Sequence, residues 1–249
     1  MKIITTPAKK MTNDISYLTP ASLPVFLDVT REILKHLKTL NVDQIKKMLR
    51  CNDSIAQAAY WNYQTMDLTR NTVPAILSYQ GIQYDYLQAD LLDFDDFDFL
   101  NEHLVILSGF YGVLKPLDGV VPYRLELNNY FNNGKYRSLY QLWGNRIYLE
   151  LIKDDHNILD LGAKQYSKII QKYLSDDINY VKCYFKQWYQ NELKEVGVYV
   201  KMARGAMTRY LIKNKINCLE QVKNFNELGY QFAADLSNNQ AYVFVKKYK

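Results

Sequence analysis

The chain has 249 residues, 48% of them apolar, with 31 basic and 26 acidic side chains, for a formal charge of +5. That apolar share supports a sizeable core. No apolar run approaches a membrane span and residues 1–4 are too short for a signal peptide, so a cytoplasmic protein is expected, with no membrane partner.

Residues 2–6 read as a short strand entering the Pro7-Ala8-Lys9-Lys10 turn. That places Lys9 at a strand end, where it can meet an anion; the plainer reading is a solvated loop lysine. Residues 23–40 show helical spacing at Phe26, Ile33, Leu34 and Leu37, with Pro24 near the start. A second helix is expected over 42–49, capped by Asn41, and a third from Asp53 to Trp61, capped by Asn52 or Asp53. The short link Arg50-Cys51-Asn52 joins these two into a tight pair. Residues 72–79, with the apolar run Pro74-Ala75-Ile76-Leu77, read as a strand ended by Gly81. A helix begins at Asp95, its first-turn carboxylates favourable against the helix dipole. Asp93, Asp95 and Asp96 as oxygen ligands for a cation are the alternative.

The central stretch gathers Gly109, Gly112, Pro116, Gly119 and Pro122. Leu104-Val105-Ile106-Leu107 before it reads as a buried strand. Gly109 and Gly112 allow a sharp turn or a close approach of a ligand to the backbone. Residues 123–127 alternate strictly, so a strand there turns Tyr123, Leu125 and Leu127 to one face and Arg124 and Glu126 to the other. An ordinary surface pair of Arg124 and Glu126 is the bland alternative. If the strands at 2–6, 104–107 and 123–127 share a sheet, Lys9 and Arg124 surround one cleft, with Glu126 within hydrogen-bonding reach of one of them.

Residues 138–151 read as a helix carrying Trp143, and 157–161 as a short strand running into Gly162. Strands at 180–188 and 193–200 pair through a turn near Asn191. A helix over 201–216 follows, with Ala203, Ala206, Met207, Tyr210 and Leu211 on one side. Lys201, Arg204, Thr208, Arg209 and Lys215 lie on the other, and Gly205 on that face would let a phosphate come close. Strands at 230–234 and 241–248 close the sheet. Absent repeats or a linker, one α+β domain over 1–249 is expected, a mixed central sheet flanked by helices.

Charge is unevenly spread. Residues 90–102 carry six acids and no base, whereas residues 182–223 carry nine bases against three acids. Such asymmetry fits a basic surface facing a polyanion, or simply a solvated face. His36, His103 and His156 are isolated, and Cys51, Cys183 and Cys218 form no CxxC pair. No metal site or disulfide framework is therefore expected. Without a GxGxxG or Walker loop, no nucleotide cofactor is expected either.

Ser108-Gly109-Phe110-Tyr111-Gly112, Leu114-Lys115-Pro116-Leu117-Asp118 and Pro122-Tyr123-Arg124-Leu125-Glu126 closely resemble the central signature of the YaaA family of peroxide-stress proteins. The resemblance extends to Pro7-Ala8-Lys9, to Tyr140-Gln141-Leu142-Trp143-Gly144, and to the run from Lys201-Met202-Ala203-Arg204-Gly205 to Arg209. It implies an α+β fold with a basic cleft and a DNA-binding role in peroxide defence that limits free iron and oxidative DNA damage. It implies that Lys9, Tyr111, Lys115, Arg124, Glu126, Lys201, Arg204 and Arg209 line that cleft. The basic residues would hold phosphate, Tyr111 would stack or bond, and Glu126 would orient Arg124. An enzyme acting on a nucleobase or nucleotide in the same cleft is the alternative, with Lys9 as nucleophile or base and Glu126 as acid–base group. The family also has a helix-hairpin-helix, which the pair at 42–61 resembles without the hairpin glycine. Ala163 and Gln165 stand where the family pattern has serine and glutamate, and a glutamine cannot transfer a proton as a carboxylic acid does.

Overall fold

The computed structural model describes residues 1–14 and 17–247. The chain opens with strand β1 (Lys2–Thr5) and the two-residue β2 (Lys10–Met11), followed by helices α1 (Leu27–Leu37), α2 (Val42–Leu49) and α3 (Asp53–Thr65). The middle holds β3 (Val73–Pro74), α4 (Ala75–Ser78), β4 (Tyr79–Gln80) and α5 (Ile82–Leu87). Next come α6 (Phe94–His103), β5 (Leu104–Ser108), β6 (Gly112–Leu114) and β7 (Gly119–Val120). Then follow α7 (Leu139–Trp143), α8 (Arg146–Leu151), β8 (Asn157–Asp160) and α9 (Lys164–Gln171). The last part runs β9 (Asn179–Tyr189), β10 (Glu192–Lys194), α10 (Gly197–Lys213), α11 (Leu219–Val222), β11 (Tyr230–Phe232) and β12 (Ala241–Lys246).

Seven strands line up in the order β11-β12-β9-β8-β1-β5-β6, with β10 hairpinned onto β9. β1 lies parallel to both neighbours, with Ile4 opposite Val105 of β5 and Asp160 of β8. β9 and β12 continue the parallel set, while β6 and β11 close the edges antiparallel. The central strands are buried on both faces, as parallel strands covered by helices require. The fold is thus the expected mixed sheet flanked by helices.

Local chemistry sets the helix starts. Asn41 and Gln44 form a reciprocal capping box on α2, Asn52 caps α3, and Asp93 forms the same box with Asp96 on α6. Arg50 takes a left-handed conformation at the α2–α3 link, and Lys46 bridges it to Asp53 at 2.7 Å.

Several elements depart from their expected form. The apolar run 74–77 is mostly a single helical turn, α4. Its first amides bond to Asp118 and Pro116 carbonyls instead of a neighbouring strand, and four consecutive buried residues carry no period to tell strand from turn. Gly144 divides the expected 138–151 helix into α7 and α8. The helix expected from Lys201 starts at Gly197, so the strand expected over 193–200 ends at Lys194. The last residue of the strand expected at 241–248 lies outside the described residues.

The largest departure concerns residues 123–127. The alternation is real: Tyr123, Leu125 and Leu127 are buried and Arg124 and Glu126 half-buried. No strand pairs with them, so they do not share a sheet with β1 and β5. Side chains take their backbone groups instead. Asn62 donates to the Pro122 carbonyl at 2.6 Å, the Tyr63 hydroxyl to the Arg124 carbonyl, and the Glu126 amide to Asn129 Oδ1 at 2.6 Å.

Candidate functional site

In sheets of this kind, ligand crevices open outside the carboxyl ends of parallel strands. β1 and β8 are such neighbours, and beyond their ends lie residues 6–10, Ala163, Gln165 and Tyr166. With residues 80–84, Glu126, Lys201 and Arg204 they enclose a cavity of about 420 Å³. Tyr84 fixes the wall by donating its hydroxyl to the Thr6 carbonyl at 2.9 Å, and Gln83 donates to Thr5 Oγ1 at 2.6 Å.

At the mouth, Lys9 Nζ stands 3.1 Å from Glu126 Oε2, with the lysine side chain 59% exposed and the glutamate 24%. Gln165 donates to the other carboxylate oxygen at 3.3 Å. The residue that departs from the resembled pattern therefore reaches the carboxylate directly. Arg124 lies with Lys9 and Glu126 around a small adjoining hollow. Gly109 allows this arrangement, because a β-carbon there would sit 2.7 Å from the Leu125 carbonyl oxygen. The close approach at Gly109 is thus by the chain's own 125–127 backbone.

Arg204 forms the inner wall. It is 9% exposed, its Nε has no hydrogen-bond partner, and among the described residues its guanidinium makes no ion pair. Burial works against its charge, offset in part by Glu195 and Asp160. The helical wheel put Arg204, Gly205 and Thr208 on the polar side of the helix, expected to face phosphate, and all three are buried. That face packs on α5, and a β-carbon at Gly205 would lie 2.1 Å from the Gln83 carbonyl oxygen. Gly205 therefore serves helix packing rather than phosphate approach.

The remaining predicted residues divide. Lys201 is exposed on the cavity rim. Arg209 is half-buried and donates to Gln88, away from the cavity. Lys115 is exposed but lines no part of the cavity. Tyr111 is fully buried in an aromatic cluster with Phe110 and Tyr123, its hydroxyl accepting from the Val121 amide at 3.2 Å. It packs the core and cannot stack on a ligand in the cleft. The basic end of α10 is also altered in meaning. Lys213 and Lys215 reach Asp96 at 2.6 and 2.8 Å, and Lys213 reaches Asp93 at 3.5 Å. The acidic and basic runs of the sequence therefore compensate one another in part.

Sequence reasoning missed Gln83, Tyr84 and Tyr166 as cavity walls, since each reads locally as an ordinary helix residue. It also missed a buried cluster beneath the turn that leads into α9. There Lys182 Nζ contacts Asp160 Oδ2 at 3.2 Å and donates to the Gly162 carbonyl and Ser167 Oγ, each at 2.8 Å. Asp160 also accepts from the Tyr180 hydroxyl, which pushes the phenol's pKa up after desolvation has done so. An isolated lysine in an alternating strand gives no hint of this. Among the described residues no cluster of three or more His, Cys, Asp or Glu is arranged to hold a metal ion.

Comparison with known proteins supplies the last observation. A family described as peroxide stress protein YaaA matches residues 1–236. The chain is 49% identical to a UPF0246 protein of Desulfitobacterium hafniense, over 99% of this chain and 98% of the relative. It is 42% identical to a UPF0246 protein of Lachnoclostridium phytofermentans, over 99% and 96%. A UPF0246 protein of Clostridioides difficile is 40% identical over 99% of this chain and 100% of its own length.

Proposed function

Since this chain belongs to the YaaA peroxide stress family, we propose that it is a cytoplasmic protein that binds double-stranded DNA through the cationic mouth of the cavity, in a peroxide defence that limits free iron and oxidative DNA damage. One observation carries the reading. Lys9, Lys10 and Lys201 are exposed around a cavity with an unpaired guanidinium in its wall, while the other cations of α10 near it are held by Gln88, Asp93 and Asp96. Lysines free of carboxylates release counterions on meeting phosphate, which drives sequence-independent binding. Lys9 shares Glu126 and would exchange that partner for a phosphate.

The test is DNA affinity against salt concentration. Replacing Lys9, Lys10 and Lys201 together by Ala should flatten the logarithmic slope by about two to three units, at ~0.9 per phosphate contact. Replacing Lys213 and Lys215 should leave it almost unchanged. An unaltered slope in the triple variant would remove the cavity mouth from the interface. The effect on iron is then indirect, so purified protein should carry no stoichiometric iron; metal analysis finding one tightly held iron per chain would overturn that.

A second reading is favoured by Glu126, which is flanked by Lys9 and Gln165 inside a concave site. That arrangement suits proton transfer to a nucleobase or nucleotide. Glu126→Gln would then abolish turnover while sparing DNA affinity, whereas in the binding reading it alters affinity alone.

A further inference from the structure

Two residues that line the cavity carry a buried polar group with no hydrogen-bond partner of its own. The Arg204 guanidinium is one. The second is the Tyr166 hydroxyl, which lies beside the Gln165 amide without a well-formed hydrogen bond although the residue is only 2% exposed. A buried guanidinium with no ion pair is costly, Glu195 and Asp160 offset that only in part, and its planar fork matches the oxygens of a phosphate or carboxylate. The backbone that carries it is held: Gly205 lets α10 press onto α5, and the Thr208 hydroxyl donates to the Arg204 carbonyl at 2.8 Å. An anion entering the cavity therefore meets a guanidinium carried on an ordered helix with no competing hydrogen bond among the described residues.

Another part of the lining has different chemistry. Glu126 and Gln165 stand side by side, joined at 3.3 Å, and offer carboxylate and amide groups to one ligand edge. Donor and acceptor groups set together in this way complement the amide or amino edge of a heterocyclic base. The Tyr84 and Tyr166 rings and the Ile82, Ala8 and Ala163 side chains add apolar lining. A volume of about 420 Å³ lies within the range of small-molecule sites and is far too narrow for a duplex.

We propose that the cavity binds one nucleoside monophosphate unit, with its phosphate on Arg204 and its base edge against Glu126 and Gln165. This deepens the reading above by naming what enters behind the lysine rim, and it does not depend on duplex binding. The same unit can arrive as a free nucleotide or as one residue of a single strand.

Isothermal titration with the four common nucleoside 5′-monophosphates, the matching nucleosides and inorganic phosphate tests it. At least one monophosphate should bind, and removing its phosphate should weaken binding tenfold or more. Arg204→Lys, which keeps the charge but loses the fork, should weaken the monophosphate by a similar factor and leave nucleoside binding unchanged, with circular dichroism confirming the fold. Glu126→Gln should change the ranking among bases more than the affinity for phosphate. A single-stranded oligonucleotide competing with the monophosphate would identify the strand as a source; lack of competition would identify the free nucleotide. Protein that binds duplex DNA yet takes up no monophosphate at millimolar concentration would overturn this proposal and leave the lysine rim standing. Monophosphate binding without duplex binding would do the reverse. Inorganic phosphate binding as tightly as every nucleotide would also overturn the assignment, since no base would then be read.

Discussion

Lys182–Asp160 and Lys9–Glu126 are lysine–carboxylate pairs of almost equal length, 3.2 and 3.1 Å. Their side chains are 9% and 0% exposed in the first and 59% and 24% in the second. The same contact therefore has two uses. In the interior, Lys182 has three acceptors and is almost wholly buried, so it braces the turn that leads into α9 and Gln165. At the cavity mouth, Lys9 keeps its hydration and can trade its partner for an incoming anion at small cost. Separation alone says nothing about role; the surrounding dielectric decides it.

The strongest way to break this contrast is Lys182→Met. Removing one partner strands a buried carboxylate, and a loss of about 3–5 kcal/mol in urea denaturation is expected. Adding Asp160→Asn should recover part of that loss. If Lys182→Met proved no worse than an exposed substitution, the brace would be wrongly assigned.

Gly205→Ala should follow, at about 1–3 kcal/mol, because the added methyl meets the Gln83 backbone and forces α10 away from α5. Arg204 moves with the helix, so ligand affinity should fall alongside stability. A neutral Gly205→Ala would show that the helix contact has slack.

A smaller effect is expected at Asp96, where the Lys213 and Lys215 ammonium groups outweigh desolvation and hold the carboxyl down at about 2. A depressed pKa contributes stability above the ordinary carboxylate range, lost as pH falls from about 4 towards 2. Asp96→Asn should remove that acid-dependent part of the stability curve and add little slope elsewhere. An unchanged pH profile would exclude the pair as a stabiliser.

The smallest effect belongs to Lys9→Met, expected to change stability by less than about 1 kcal/mol, as exposed ion pairs do. Its signature should be in ligand affinity. A large stability loss here would erase the distinction between the two pairs.

What could be read from the sequence follows the same division between local and distant physics. Caps at Asn41 and Asn52 were legible because a cap acts within three residues, and the acidic first turn put the start of α6 at Asp95, one residue inside the observed start at Phe94. The strands β1, β5 and β8 were legible from short apolar runs, and the alternation at 123–127 told which residues are buried. It could not tell who bonds the backbone there, because Asn62 and Tyr63 are about sixty positions away. The juxtaposition of Lys9, Arg124 and Glu126 was anticipated, though through an irregular segment rather than a shared sheet. Gly205 was expected to admit a phosphate, because a helical wheel has no knowledge of α5. The charge asymmetry likewise concealed that Asp96 and Lys213 meet across 117 positions.

The cavity draws its walls from residues 6–10 and 80–84 and from Glu126, Ala163, Gln165, Tyr166, Lys201 and Arg204, positions spread over most of the chain. No hairpin or helix pair formed early in folding contains more than a fraction of them. Contacts of such wide sequence separation carry the loop-closure entropy of nearly the whole polypeptide and are completed late. Binding competence should therefore lag behind helix content during refolding, and a ligand titration counts only fully assembled molecules, where circular dichroism also counts those still on their way.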